Sequence, residues 1–328
     1  MLGRCICLLL LNFAVFLSCQ AQSAQPLALE KTLPLPGIQG RIDHLSFDSK
    51  GDRLFVSALG NGTVEVIDLR TMARSHEITG LKEPQGVLFS VQDDRLFVAC
   101  GGDGTLRSYS GSTYAPLRTV SLGDDADNVR FDAASHEILV GYGSGGIAAF
   151  NKDLKQISDV KLPAHPESFQ IGQSGSLLYI NIPDGKMIAV VDRARNAVTH
   201  QWPQFTAHAN FPMALDEASH RVFIGFRRPP LLEVLNADSG EPVAQLPIAA
   251  DADDMFYDHN RRRIYVIGGE GVLDVIEQKD ADHYVLTQQL QSSPGARTGL
   301  FVSDLNRLYV AAPQHGPKPA EILIYRVQ

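Results

Sequence analysis

Cysteine is scarce: the 328 residues hold four, at positions 5, 7, 19 and 100. Three of these fall in the first two dozen residues, so the rest of the chain carries Cys100 alone and cannot build a disulfide framework. Positive charge is also in deficit. Lys and Arg number 29 against 37 Asp and Glu, a net charge of −8, which leaves no basic face for nucleic acid or an anionic membrane. Tryptophan occurs once, at Trp202. His-Glu-x-x-His, Gly-x-Ser-x-Gly and Cys-x-x-Cys-His are all missing, so no motif points to a zinc peptidase, a nucleophile elbow or covalent haem.

Long apolar runs are missing too, with one exception at the start. Arg4 precedes Ile6 to Leu17, apolar except for Cys7 and Asn12, and Ala21, Ser23 and Ala24 follow as small residues. The run is short for a transmembrane helix and has the layout of a secretory signal. We expect residues 1–24 to be a signal peptide, residues 25–328 to be the mature domain, and the protein to be periplasmic or secreted. Phe16-Leu17-Ser18-Cys19 is a weak version of a lipoprotein cleavage box, so a lipid anchor at Cys19 is the minority expectation.

What is present in quantity is one repeated stretch. Residues 53 to 68 read Arg-Leu-Phe-Val-Ser-Ala-Leu, then Gly60-Asn61-Gly62, then Thr-Val-Glu-Val-Ile-Asp, an alternating strand, a turn able to supply positive φ, and a returning strand. Its opening recurs at Arg95, Glu137, Leu177, Arg221, Arg263 and Arg307, in steps of 42, 42, 40, 44, 42 and 44 residues. Seven all-strand copies of this length predict a seven-bladed β-propeller of four-stranded blades. The seventh copy ends after Ile322–Arg326 and lacks a fourth strand, whereas Leu27–Leu35 is a strand-like run with nothing else to pair with. We expect that run to complete the last blade and close the ring, with Leu27, Leu29, Leu33 and Leu35 on one face.

Phe55-Val-Ser-Ala, Tyr179-Ile-Asn-Ile and Tyr309-Val-Ala-Ala, with Val64-Glu-Val-Ile-Asp68 and Ile188-Ala-Val-Val-Asp192 as returning strands, resemble the YVTN β-propeller repeat family, which includes the YncE-like bacterial periplasmic proteins. The resemblance spans residues 27 to 328 and implies the fold; it implies little about activity.

Gly141-Tyr-Gly-Ser-Gly-Gly146 has dinucleotide-fingerprint spacing but runs into the strand Ile147-Ala-Ala-Phe150, where that mechanism needs a helix N-terminus. It is read as a hairpin turn. Function is better placed by topology. The loop from strand d into strand a opens at the channel mouth, and aligning the repeats gives His44, Gly86, Asn128, Ser168, Pro212, Asp254 and Thr298 as equivalent positions. The positions before them are Asp43, Gln85, Asp127, Glu167, Phe211, Asp253 and Arg297. The four-residue windows ending at the first set hold eight acids in 28 residues, where the chain average predicts about three. Asp and Asn also favour turns for purely local reasons.

We therefore expect a ligand site at an acidic mouth, drawn from Arg41, Asp43, His44, Gln85, Asp127, Asn128, His165, Glu167, Asn210, Asp253, Asp254 and Arg297. Its occupant is a small molecule, a peptide or a protein partner at the channel face. Asp127, Asn128, Glu167, Asp253 and Asp254 are candidate metal ligands, and an oxygen-rich set favours calcium. Asn128, Asn210, Glu167, Asp253 and Asp254 are similar in kind to the residues that hold calcium in paraoxonase and gluconolactonase propellers, which implies a calcium-dependent lactonase or other hydrolase as an alternative. An accessory subunit of a redox system is a further alternative, weakened by the single Trp and the missing haem motif. Arg227-Arg228 is read as a solvated pair, with an anion clamp as the sharper option.

Overall fold

Strands in this chain form where apolar residues run almost without interruption, and they do so because both faces of each sheet are covered. In the computed structural model, which describes residues 25–203 and 207–328, Leu54, Phe55, Val56, Ser57 and Ala58 are all buried. Leu54, Val56 and Ala58 belong to one apolar cluster, and Phe55 belongs to the next. Alternation thus sorts residues between two neighbouring blades instead of between core and solvent.

Seven such clusters separate seven four-stranded antiparallel sheets, which form a closed β-propeller. Blade 1 comprises strands a to d at Leu45–Asp48, Arg53–Ala58, Thr63–Asp68 and Ala73–Ile78. The inner strands of blades 2 to 7 begin at Pro84, Ala126, Phe169, His208, Ala252 and Thr298. All seven predicted repeat openings are the first residues of their b strands. The turn at Gly60-Asn61-Gly62 is built differently from a two-residue hairpin. Leu59–Asn61 forms a short 3-10 turn, and only Gly62, at φ 67°, takes the left-handed conformation. Asn61 is used instead to hold the loop before blade 1, accepting from Gln39 N at 2.7 Å and donating to Gly37 O at 3.0 Å.

Leu27–Pro34 pairs antiparallel with Glu321–Val327 and completes blade 7 as its outer strand. The expectation that its leucines share a face does not hold. A bulge between Leu29 and Lys31 shifts the register, so Leu27 enters the cluster between blades 6 and 7 while Leu33 and Leu35 enter the one between blades 7 and 1. Leu29, at the bulge, is 54% exposed.

Arginines at the openings of the b strands tie blades together on the face opposite the mouth. Arg53 donates to Gly111 O of blade 2 at 2.6 Å, Arg95 to Lys152 O of blade 3 at 2.6 Å, and Arg221 to Ala281 O of blade 6 at 2.9 Å. Between blades 3 and 4 the polarity is reversed. Glu137 stands where the arginine would, and Arg193 of blade 4 reaches back to it and to Asp132. The predicted signal peptide and Cys19 lie outside the described residues. No helix of the described residues is long and apolar enough to cross a membrane.

Candidate functional site at the channel mouth

Five of the seven inner strands are entered through a left-handed residue three places before the aligned position. Glu83, Asp125, Ala209, Asp251 and Gly295 all have φ between 35° and 84°. The carbonyls of Glu83, Asp125 and Asp251 accept from the b–c turn glycines Gly101, Gly143 and Gly269 at 2.9, 3.0 and 3.0 Å. Local turn geometry therefore places three of the eight acids, and Asp125 and Asp251 suit it because Asp tolerates this conformation better than most residues. Asp254 makes a blade-to-blade tie: its Oδ2 accepts from Gly299 N at 2.8 Å, with His44 Nδ1 at 3.5 Å. The other four, Asp43, Asp127, Glu167 and Asp253, occupy the position before the aligned one.

All seven residues of that preceding position line a single cavity of about 420 Å³ at the mouth: Asp43, Gln85, Asp127, Glu167, Phe211, Asp253 and Arg297. Arg41, His44, Asn128 and His165 also line it. Asn210 and Asp254 do not. Asn210 is buried in a strand and donates to Asn181 Oδ1 at 3.2 Å and Met187 O at 3.1 Å. Gly86 of blade 2 packs directly against the backbone of blade 3. A Cβ there would lie 2.1 Å from Asp127 O, so its lack of a side chain lets Asp127 sit where it does.

Arg227, read from the sequence as half of a solvated pair, belongs to the cavity. Its guanidinium lies 3.6 Å from the centre of the Phe211 ring, donates to Asp253 Oδ1 at 2.6 Å and to Ala252 O at 2.9 Å, and sits 3.5 Å from Asp251. The missed signal was positional: Arg227 replaces a glycine in a b–c turn that abuts the acidic loop of the next blade, Asp251 to Asp254.

The mouth acids are not equally satisfied. Asp43 is paired with Arg41 at 2.7 Å, and Asp253 with Arg227. Gln85 donates to Asp125 at 3.0 Å, and Arg297 holds Asp251 at 3.0 Å. Asp127 has only His165 Nε2, at 4.0 Å, and Glu167 makes no hydrogen bond or ion pair through its carboxyl among the described residues. His165 is itself held by Gly143 O at 2.6 Å. Asn128 adds a buried side-chain oxygen that lacks a hydrogen-bond partner among the described residues.

Crowding of carboxyls away from water shifts their titration upward. Burial, with Glu167 and Asp43 adding to it against the pull of His44 and His165, raises Asp127 to about 8. Burial and then Asp253 raise Glu167 to about 7, against Arg227. Asp253 rises to about 6, because burial and its acidic neighbours outweigh the Arg227 contact. His44 moves the other way in charge. Burial alone would lower it, but Asp254, Asp43 and Asp127 raise it to about 10, so it is an imidazolium at neutral pH.

Of the five candidate calcium ligands, Asp253 is committed to Arg227 and Asp254 to Gly299 and His44, so in this arrangement the set does not form one coordination shell. Among the described residues no group of three or more His, Cys, Asp or Glu is placed to hold a metal ion.

No protein-family model matches the chain, and no curated protein matches it. Solved structures do match. A chain of the mitotic checkpoint complex crystal structure superposes with a TM-score of 0.77 at 15% identity over 99% of both chains. A chain of Kuenenia stuttgartiensis hydrazine synthase superposes with a TM-score of 0.73 at 12% identity, covering 85% of this chain and 96% of that one. At such identities the likeness is one of fold alone.

Proposed function

We propose that this propeller is a binding protein whose mouth receives a cationic group, an ammonium or guanidinium carried by a small molecule or a peptide side chain. The observation that carries the reading is the imbalance among the mouth acids: Asp127, buried, and Glu167, half-buried, are adjacent in the ring and have no arginine partner, the pull of His44 and His165 on Asp127 being outweighed, while Asp43 and Asp253 each have an arginine. A docking cation would supply the missing charge, and Phe211 and Arg227 would wall one side. Because Asp127 is held mostly neutral at pH 7, docking drives its ionisation and releases a proton.

Calorimetric titration with 1,4-diaminobutane, with an arginine-containing tripeptide and with calcium chloride tests the proposal, each in two buffers of different ionisation heat. We expect amine or guanidinium binding with proton release, lost in the double variant Asp127→Asn, Glu167→Gln. Binding that persists in that variant, or no heat from either organic cation, would remove the reading. A response to calcium alone would favour the calcium-dependent hydrolase instead.

The signal-like start and the YVTN-type repeat letters support placing the protein outside the cytoplasm, among exported propellers. N-terminal sequencing of the mature chain should then begin between Cys19 and Gln25, with a lipid adduct if Cys19 is the first residue. An intact Met1 in exporting cells would rule export out.

A further inference from the structure

The channel does not end at the mouth. Below the ring that contains His44, Ser168 and Asp254 it continues into a second chamber of about 310 Å³. The aligned positions two residues further along the inner strands include Leu88, Arg130, Phe256 and Leu300; Leu88, Phe256 and Leu300 with Phe131 and Phe301 give the chamber its apolar walls. Polar groups facing it are His44 and Asp254 at the top, with Ser46, Ser168 and Gln170 around the sides. Most of these are committed to blade ties: Ser46 accepts from Phe89 N at 2.9 Å, Gln170 donates to Met213 O at 2.7 Å, and Ser168 donates to Phe211 O.

Arg130 is the exception. Its guanidinium makes one bond, to the carbonyl of its own neighbour Val129 at 3.2 Å, and lies 5.7 Å from the centre of the Phe169 ring. No ion pair engages it among the described residues. Four other half-buried arginines are ion-paired: Arg53 with Asp48, Arg193 with Asp132, Arg221 with Asp282 and Arg227 with Asp253. Burial lowers the Arg130 pKa, and Asp254 and Asp127 only partly offset this, so the cation is short of negative charge. A guanidinium held at an apolar wall with most of its donors free is costly unless something planar and anionic completes it.

We propose that the lower chamber is a second ligand site, separate from the mouth, that takes a small carboxylate with an apolar body, its carboxylate on Arg130 and its body against Phe131, Phe256 and Phe301. The volume lies at the small end of the range for ligand pockets, about 300–1,000 Å³, which suits a single aromatic ring on a short chain.

The test compares 4-phenylbutyrate with its uncharged amide by thermal shift and calorimetry on the full mature chain. The carboxylate should raise the melting temperature in a dose-dependent way at millimolar concentration, and the amide should bind about tenfold or more weakly, the difference a charge-assisted bidentate contact makes. Arg130→Met should abolish the carboxylate preference, while the exposed-arginine control Arg70→Met should keep it. Should Arg130→Met fail to fold, Arg130→Lys serves: a bidentate site should weaken about tenfold with the point charge kept. Equal binding of acid and amide, retention of the preference in Arg130→Met, an undiminished affinity in Arg130→Lys, or no binding to the wild type would each overturn the proposal.

Discussion

At the scale of single residues, the mouth is a place where charge is held against its preference, and that has a measurable sign. Asp127 and Glu167 titrate higher in the folded protein than their ordinary values of 3.8 and 4.5. Their contribution to stability is therefore full below about pH 4 and is lost as the pH rises through 7 and 8. Asp127→Asn should leave the melting temperature nearly unchanged below about pH 4 and raise it increasingly up to about pH 8, by about 1–3 kcal/mol of stability. A pH-melting series shows this directly; a loss that is the same at every pH would mean Asp127 is a turn residue only. Gly86→Ala probes the same residue from its backbone side. With Asp127 O in the way of the new Cβ, we expect a loss of about 1–3 kcal/mol in chemical denaturation and weakened cation binding. How far these residues were legible in the sequence depends on geometry. The residues before the aligned positions could be located from the repeat alone, because topology aims them at the axis. Arg227 could not be placed, because a side chain of that length in a turn reaches either solvent or the mouth, and only the position of Asp253 decides between them.

At the scale of elements, the closing strand carries the clearest departure from pattern. Period two made Leu27, Leu29, Leu33 and Leu35 equivalent, and a one-residue bulge makes them three different things: a wedge between blades 6 and 7, a solvent residue, and two wedges between blades 7 and 1. A bulge leaves almost no trace in a sequence, since Glu30 is unexceptional in either register. Leu33→Ala should cost about 2–4 kcal/mol, as for other fully packed leucines, while Leu29→Thr should change stability by less than about 0.5 kcal/mol. Similar losses in urea denaturation at both sites would contradict the bulge. The arginines at the b-strand openings were visible as a repeated letter. Their use as ties to the following blade was not, because their partners, backbone carbonyls with Tyr114, Asp153 and Asp282 beside them, lie about 60 positions away.

At the scale of the whole molecule, stability is a circuit: each apolar cluster belongs to two blades, so no blade is covered on both faces until its two neighbours stand. Deleting residues 25–36 should expose the edge of Glu321–Val327 and strip Leu27, Leu33 and Leu35 from two clusters at once. We expect aggregation or a broadened, lower melt by calorimetry, and a truncated chain that melts like the mature protein would refute closure as a source of stability. The pairing of Leu27–Pro34 with Glu321–Val327 also imposes an order in time. The first strand of the propeller to leave the ribosome has no partner until the last has followed it. At about 5–20 residues per second that wait is on the order of tens of seconds, while earlier blades stack on one another as they emerge. Throughout it two unsatisfied edges coexist in one molecule, so slower completion of the chain should raise the share lost to aggregation.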